Sequence, residues 1–298
     1  MTRSWIVDAL GAESFTRLAE ALPGTELQSV LLEVMRRRAS ARTPNQLVAQ
    51  YQRDRFVRPA ATDLRTSVAI DGHLLAVASD FEAIELSPVA PLGTCSRVAL
   101  TDQNRVLSAL RATEVVSDPT NVLALECAVR LRGGKPAHLA TCQRVIRAQP
   151  APDKPGYAQH FRIFVLASGG REQAEHGFTI SAMQHHIQTM QRALDRLEHH
   201  GFRFGARRVD VLARDDRAAV ADRIAEAVGG QRSRLEHPYY SAGIRYQIWV
   251  TTADGSQLPL IDGGAFDWLH ALIANRRLAF IASGMGAQLV PLAFRREV

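Results

Sequence analysis

Apolar side chains in the first sixty residues recur at helical spacing. Thr25-Glu26-Leu27-Gln28 has the form of a capping box, in which the hydroxyl and the amide side chain pair with backbone N–H groups at the start of a helix. Thr43-Pro44-Asn45-Gln46 repeats that form with proline at the first helical position, and predicts a helix to about Asp54. An apolar stripe follows the first box: Leu27, Val30, Leu31, Val34 and Met35. The pattern predicts a helical N-terminal segment over residues 1–65.

Beyond this segment the apolar pattern changes to short runs that are typical of strands. Residues 68–70 and 74–77, joined by Asp71-Gly72, predict a strand, a tight turn and a second strand. Longer strand-like runs follow at 139–146, 160–167, 209–212, 244–251 and 278–282.

Helices interrupt these runs. The longest is predicted by apolar residues three or four positions apart, with Gly201 at its end. These residues are Ile180, Met183, Ile187, Met190, Leu194 and Leu197. A shorter helix is predicted over 215–228, closed by Gly229-Gly230. Hairpin strands punctuated by helices favour an α+β fold over residues 66–298, with an antiparallel sheet of about six strands. Rossmann and P-loop folds are disfavoured, because neither glycine-rich signature occurs in the required context.

Composition narrows the class of protein and its compartment. Of 298 residues, 46% are hydrophobic and 22% are charged, which is enough for a buried core. We find no apolar run of about eighteen residues and no signal peptide, so we expect no membrane span and a cytoplasmic location. The three cysteines are never closely paired, which argues against a disulfide framework and a zinc knuckle, and we expect no bound metal in the fold. The net charge of +6 is scattered among acidic residues and does not by itself indicate a nucleic-acid partner.

The first segment with candidate chemistry is Asp118-Pro119-Thr120. It precedes an apolar stretch, so Asp118 or Ser117 can cap a helix whose first turn holds Pro119. A carboxylate beside a hydroxyl also provides the acceptors that a substrate ammonium group needs in a partly dry pocket. The two interpretations are compatible.

The second segment is a pair of strand-like runs joined by a Pro/Gly-rich loop. The first run ends near Arg147, and the return run begins at His160-Phe161. A planar guanidinium group binds carboxylate or phosphate oxygens through two parallel hydrogen bonds. The plainer interpretation of Arg147 is a surface residue at a strand end.

The third segment combines tyrosines and glycines. Tyr239-Tyr240 precedes a strand-like run, Asp262-Gly263-Gly264 follows that run, and Gly284-Met285-Gly286 comes later. β propensity alone explains paired tyrosines on a half-buried strand. The last two glycines also fit close packing of a helix on a sheet.

In their order and spacing, these segments resemble the catalytic core of class II aminoacyl-tRNA synthetases of the histidyl type, and the related regulatory subunit of ATP phosphoribosyltransferase. The resemblance covers roughly residues 83–290. It implies an amino-acid site in which Asp118 and Thr120 hold the α-amino group, and Tyr239 and Tyr240 line the side-chain pocket. It also implies a homodimer that packs through the stretch around residues 81–91.

The same resemblance implies a site for ATP with Mg²⁺. Arg147, as the catalytic residue, would contact the α-phosphate and the amino-acid carboxylate, and Phe161 would stack on adenine. Gly284 and Gly286 would let a helix approach the nucleotide closely.

Departures from the family pattern bear on activity. Leu289 stands where the enzymes carry the arginine that holds the terminal phosphate, and Leu235 stands where the histidyl enzymes carry a catalytic arginine. The resemblance also implies a turn at Asp262-Gly263-Gly264, where the family has Gly-Gly-Arg-Tyr-Asp, and the Arg-Tyr pair of that turn is Ala265-Phe266 here. Losing one positioned donor typically costs about 10²–10³ in rate, so ordinary histidyl-tRNA synthesis is not expected. Arg245 and Arg276-Arg277 are candidates to replace the lost cations.

Two functions stay open, and we favour the first, because an intact Arg147 has little purpose in a pure amino-acid sensor beyond holding a carboxylate. The first is an ATP-dependent ligase that activates an amino acid as an adenylate for a non-tRNA acceptor, such as a partner protein or carrier. The second is a catalytically silent, amino-acid-sensing regulatory subunit resembling that of ATP phosphoribosyltransferase. Transfer RNA is not an expected partner, because the segments leave no recognisable anticodon-binding domain.

Overall fold

The computed structural model describes residues 4–149 and 158–294. The helices are α1 (Ser4–Leu10), α2 (Ala12–Thr16), α3 (Gly24–Ser40), α4 (Pro44–Arg53), α5 (Leu64–Val77), α6 (Thr94–Val98), α7 (Pro119–Arg132), α8 (Gly177–His199), α9 (Ala218–Val228), α10 (Trp268–Ile273) and α11 (Val290–Ala293). The strands are β1 (Glu82–Ala83), β2 (Val89–Pro91), β3 (Ser108–Ala109), β4 (Thr113–Val115), β5 (Ala137–Ile146), β6 (His160–Arg171), β7 (Arg207–Ala213), β8 (Gln231–Arg234), β9 (Ile244–Thr251), β10 (Gln257–Phe266) and β11 (Leu278–Met285).

The strands form a large sheet and a small one. The large sheet has the order β1-β5-β6-β11-β10-β9-β7-β8. Its six central strands pair antiparallel, whereas β1 pairs with β5 and β8 pairs with β7 in parallel. The small sheet, β2-β4-β3, is antiparallel. The predicted α+β class and antiparallel sheet are confirmed, and the structure adds a parallel strand at each edge.

Helices cover both faces of the large sheet. α5, α8 and α9 pack on one face, and α6, α7 and α10 pack on the other. The predicted long helix is α8, in which Met183, Ile187, Met190 and Leu194 are fully buried because their spacing puts them on one stripe. Gly201 follows α8 with φ +93°, a left-handed conformation that glycine adopts without strain. The five longer strand-like runs lie within β5, β6, β7, β9 and β11.

The strand pair predicted for residues 68–77 is wrong, because these residues lie in α5. Asp63 caps this helix and accepts a hydrogen bond from the backbone N–H of Thr66 at 2.8 Å. The buried residues of α5 are three or four positions apart, as on one helical face: Ser67, Ile70, Asp71 and Leu74. Asp71 forms an ion pair with Arg162 of β6, and Gly72 is exposed. The Asp-Gly turn signal was therefore overridden by tertiary packing.

Two smaller expectations are also corrected. Tyr239-Tyr240 lies in a turn before β9 rather than on a strand. The predicted turn at Asp262-Gly263-Gly264 is instead part of β10, where Gly264 pairs with Arg245. Aromatic rings take the space that side chains would fill there, since a Cβ on Gly263 would lie 2.5 Å from Cε1 of Tyr246.

The N-terminal helices α1 to α4 contain no buried residue among those described. The second predicted capping box forms: Thr43 Oγ1 accepts from the Gln46 N–H at 3.4 Å, and Gln46 Oε1 accepts from the Thr43 N–H at 2.9 Å. The first does not, because α3 already begins at Gly24 and places Thr25 inside the helix. The division of the chain at residue 65 stays a prediction. Across the described ranges, no helix is both long and apolar enough to cross a bilayer.

Candidate functional site

A cavity of about 430 Å³ lies on the sheet face that α7 covers. The N-terminus of α7, the end of β5, strands β10 and β11 and the turn before β9 all contribute to it. This volume is in the range of small-molecule sites, about 300–1,000 Å³. The cavity brings together six of the predicted site residues: Asp118, Thr120, Arg147, Tyr239, Tyr240 and Gly284.

Asp118 both caps α7 and faces the cavity. Its Oδ1 accepts hydrogen bonds from the backbone N–H of Thr120 at 3.0 Å and from Thr120 Oγ1 at 2.8 Å. Pro119 occupies the first turn, as the sequence predicts. The other oxygen, Oδ2, lies 3.6 Å from Nη2 of Arg147. One oxygen therefore stabilises the helix, and the other forms an ion pair with Arg147.

Arg147, at the end of β5, is anchored from behind. Its Nε donates to the carbonyl oxygen of Ser117 at 3.0 Å. Its guanidinium carbon lies 5.2 Å from the ring centroid of Phe161, which adds a cation–π contact. Because Nε is engaged, Nη1 and Nη2 are the groups left to bind an anion. The Pro/Gly-rich loop that follows falls partly on residues 150–157, outside the described residues.

An aromatic wall closes one side of the cavity. The rings of Tyr239 and Tyr240 meet edge-on with centroids 5.4 Å apart, and Tyr239 meets Phe266 in the same way at 5.5 Å. Burial raises the pKa of both tyrosines. Their hydroxyl groups therefore stay protonated at neutral pH and act as hydrogen-bond donors.

Asp262 of β10 lines the cavity beside this wall. Its Oδ1 accepts from Tyr240 Oη at 2.5 Å and from Arg245 Nε at 3.0 Å, and its Oδ2 accepts from Arg245 Nη2. Arg245, one of the cations considered as a replacement for lost phosphate donors, is thus paired with a carboxylate. The sequence singled out this Asp-Gly-Gly segment but assigned no role to Asp262.

Arg105 also lines the cavity and was not predicted. It belongs to a 3₁₀ turn, Gln103–Arg105. Buried Glu114 holds this turn, since it accepts from Gln103 Nε2 and from the backbone N–H of Cys95, both at 2.8 Å. The backbone N–H of Ala148 also donates to the Arg105 carbonyl at 2.9 Å. No local pattern marks Arg105, because tertiary contacts bring it to the site.

Other predicted residues lie elsewhere. Phe161 and Gly286 are not among the described residues that line the cavity. The ring of Phe161 faces Arg147 instead, and a Cβ on Gly286 would lie 3.2 Å from Cδ1 of Leu289. Neither Leu235 nor Leu289 is among the described lining residues. Leu235 packs in the apolar cluster that includes the aromatic wall, and Leu289 packs against the cluster on the opposite face of the sheet. Of the described lining residues, the permanent cations are Arg105 and Arg147.

Metal ligands are not clustered in the part of the chain that the structure describes. Over residues 4–149 and 158–294, no three His, Cys, Asp or Glu side chains lie close enough to hold a metal ion. The acidic side chains of the cavity lining there are Asp118 and Asp262.

A chain of buried polar side chains lies behind the cavity floor, on the other face of the sheet. The two ring nitrogens of His186 lie 2.8 Å from Ser168 Oγ and 2.8 Å from Ser283 Oγ. Ser168 Oγ also lies 2.8 Å from Nδ1 of His138. Burial, and then the neighbouring His185, lowers the pKa of His186 well below its ordinary value. Because Ser283 belongs to the floor, this chain supports the cavity from behind.

The fold is shared with solved structures at low sequence identity. An ATP phosphoribosyltransferase regulatory subunit/histidyl-tRNA synthetase from Bacillus halodurans superposes with a TM-score of 0.60 at 15% identity, over 78% of this chain and 82% of its own. Apo histidyl-tRNA synthetase from S. aureus gives 0.58 at 10% identity, over 78% and 67%. A threonyl-tRNA synthetase structure from Cryptosporidium parvum gives 0.58 at 8% identity, over 77% and 65%.

No protein-family model and no curated protein sequence matches the chain. The likeness therefore lies in the architecture: a mainly antiparallel sheet with helices on both faces. The chain has the class II synthetase-like fold of the histidyl-tRNA synthetase and ATP phosphoribosyltransferase regulatory subunit structures.

Proposed function

We propose that the cavity binds a free amino acid as its zwitterion. The observation that carries this proposal is the pairing of opposite charges in the lining, with Asp118 Oδ2 and Arg147 Nη2 3.6 Å apart. An amino acid has its ammonium and carboxylate groups on one carbon atom, so it needs complementary charges that are this close. Charge-assisted hydrogen bonds of this kind are about twice as strong as neutral ones.

The anchoring of these two residues supports the same proposal. Asp118 is held by the α7 cap and Arg147 by the Ser117 carbonyl, so neither charge depends on the other for its position. A ligand can insert between them without unfolding either element. Such preorganisation lowers the entropic cost of binding.

The charges of the lining favour amino-acid sensing over adenylate formation. A triphosphate chain needs several positioned cations. Arg105 and Arg147 are the permanent cations among the described lining residues, and Arg147 lies beside Asp118. Arg245 is paired with Asp262. A regulatory subunit that reports the presence of an amino acid to a partner protein needs none of the lost phosphate donors.

Adenylation for a non-tRNA acceptor is the second candidate, and Arg105 is the observation that favours it. In that reaction Arg147 would hold the amino-acid carboxylate and the α-phosphate, and Arg105 would bind further phosphate oxygens. ATP with Mg²⁺ would supply the activated phosphate when bound.

Two measurements test these functions. Calorimetry with a panel of amino acids should give a saturable signal without ATP, and its absence for every amino acid would contradict the proposal. Amino-acid-dependent exchange of pyrophosphate into ATP separates the candidates. Pyrophosphate exchange that is lost in Arg105→Ala supports the ligase, whereas amino-acid binding without exchange supports the sensor.

A further inference from the structure

Asp262 is the acidic group at the aromatic end of the cavity. Its side chain keeps 36% of its surface exposed, so a ligand has access to it. The wall of Tyr239, Tyr240 and Phe266 stands beside it. If the backbone of an amino acid lies at Asp118 and Arg147, this is the end that the ligand's side chain meets.

The hydrogen bonds of Asp262 leave one acceptor position open. An ionised carboxylate offers about four lone-pair positions. Tyr240 Oη and Arg245 Nε occupy those of Oδ1, and Arg245 Nη2 occupies one on Oδ2. The remaining position on Oδ2 can accept one further hydrogen bond.

The charge of Asp262 is already balanced. Arg245 contacts both of its oxygens and is itself largely withdrawn from solvent, with 19% of its side chain exposed. Its guanidinium carbon lies 4.9 Å from the centroid of the Tyr240 ring, which fixes it further. An incoming cation therefore meets a neutral ion pair rather than a free carboxylate.

A packing contact keeps Tyr240 in this arrangement. A Cβ on Gly264 would overlap the Tyr240 ring and would lie 2.5 Å from the carbonyl oxygen of Ile244. Glycine at this position of β10 thus lets the ring lie against the strand, with its hydroxyl on Asp262.

We infer that this site selects amino acids whose side chain is neutral and carries an N–H or O–H donor, such as a carboxamide. Asp262 is the specificity-determining residue, and Arg245 and Tyr240 position it. An apolar side chain would leave the open acceptor without a partner, which is costly once water is excluded. An acidic side chain would place two carboxylates together. The inference rests on the proposed amino-acid-binding function.

Calorimetry with glycine, glutamine, methionine, glutamate and lysine tests the inference on the full chain. Glutamine and methionine have side chains of similar length, so the ratio of their affinities reports the contribution of the hydrogen-bond donor. We expect the protein to bind glutamine about 10- to 100-fold more tightly than methionine or lysine, which is the worth of a hydrogen bond to a charged group. In Asp262→Asn the glutamine preference should fall to within a few-fold.

Arg245→Met gives a change in the opposite direction. It leaves the carboxylate of Asp262 without its balancing charge, so lysine should gain at least about 10-fold relative to glutamine. Because removal of one partner of a partly buried pair can unfold a protein, the double variant Asp262→Asn/Arg245→Met, without either charge, serves as the folding check. Asp267→Asn, an exposed neighbour outside the lining, is the matched control and should keep the ranking.

The outcomes separate the two proposals. If the unaltered protein binds none of these amino acids, including glycine, the amino-acid-binding function is overturned and this inference with it. If it binds them and the ranking is the same in Asp262→Asn and Arg245→Met, the inference alone is overturned.

Discussion

The guanidinium group of Arg147 lies beside the carboxylate of Asp118, with 3.6 Å between Nη2 and Oδ2, although different elements hold the two residues. Asp118 is the N-cap of α7, and Arg147 follows the end of β5. This juxtaposition gives the cavity a local dipole without a large net charge.

Arg147→Ala should weaken amino-acid binding by about 1.5–3 kcal/mol, because the ligand carboxylate loses a hydrogen bond to a charged group. Calorimetry measures the loss. Arg276→Ala is the control, since Arg276 lines a separate cavity of about 120 Å³. An unchanged affinity in Arg147→Ala would make this arginine an ordinary surface residue.

Asp118→Asn should separate ligand binding from helix capping. Asparagine is as good an N-cap as aspartate, so the free energy of unfolding should change by less than about 0.5 kcal/mol. Amino-acid affinity should fall, because the ammonium group loses its carboxylate partner. Asp118→Ala should lose both the amino-acid affinity and the helix cap. Chemical denaturation should show a loss of about 0.5–2 kcal/mol in the free energy of unfolding. Equal affinity in Asp118→Asn and the unaltered protein would contradict the assignment.

Leu289→Arg should leave nucleotide affinity unchanged. Leu289 packs against the apolar cluster on the α5 and α8 face and is not among the described residues of the cavity lining. A cation there would lose apolar contacts and should cost about 1–3 kcal/mol of stability. Titration with ATP and thermal unfolding measure the two effects, and a gain in ATP affinity would show that position 289 reaches the cavity.

Gly264→Ala should destabilise the protein by about 1–3 kcal/mol, because the added methyl group collides with Tyr240 and with the Ile244 carbonyl. Gly72→Ala is the opposite case. Gly72 lies in α5 with open space around it, so alanine should stabilise the helix by about 0.5–1 kcal/mol. Urea denaturation of both variants checks the pair, and an unchanged or raised stability of Gly264→Ala would contradict the packing described for Tyr240.

The stability of the protein should fall as the pH drops below about 6.5. Burial lowers the pKa of His186 below its ordinary value of 6.5, so the unfolded chain binds a proton that the folded chain excludes. The contribution of His186 to the free energy of unfolding is therefore fully present above pH 6.5. It declines at lower pH by about 1.4 kcal/mol per pH unit.

His186→Gln provides the test of this titration, because an amide can still donate and accept hydrogen bonds. The stability difference between the variant and the unaltered protein should shrink as the pH falls from 7 to 5, by at most about 1.4 kcal/mol for each pH unit below 6.5. A difference that is constant over this range would show that His186 does not titrate on unfolding.

The sheet and its long helix were predictable because each element carries a complete local pattern. The stripe of α8 and the apolar runs of β5 and β9 have the period of their final structure. The prediction of two strands in place of α5 was wrong because Asp71-Gly72 is a strong turn signal in isolation. In the folded chain these residues are helical, and Asp71 lies on the buried face, where it pairs with Arg162, which is far away in sequence.

The candidate site was predictable only in part, for a similar reason. Asp118 and Arg147 stand in motifs with recognisable spacing, and the structure brings them together. Arg105 stands in no motif, and Asp262 stands in the Asp-Gly-Gly segment without a role of its own. Arg105 is positioned by a turn in which Gln103 donates to Glu114, and Asp262 is held by hydrogen bonds that Arg245 donates. Those contacts exist only after the chain has folded.

The buried side chains behind the cavity floor impose a direction on hydrogen-bond donation. A neutral imidazole has one N–H donor and one acceptor nitrogen, so whichever nitrogen of His186 bears the proton decides the orientation of the hydroxyl groups of Ser168 and Ser283. If His138 takes up a proton, its Nδ1 can only donate to Ser168. When Ser168 gives its own hydrogen bond to His186, the opposite nitrogen of that ring donates to Ser283. In that arrangement a proton gained on β5 sets the polarity of a hydroxyl on β11, two strands away, without the movement of any heavier atom.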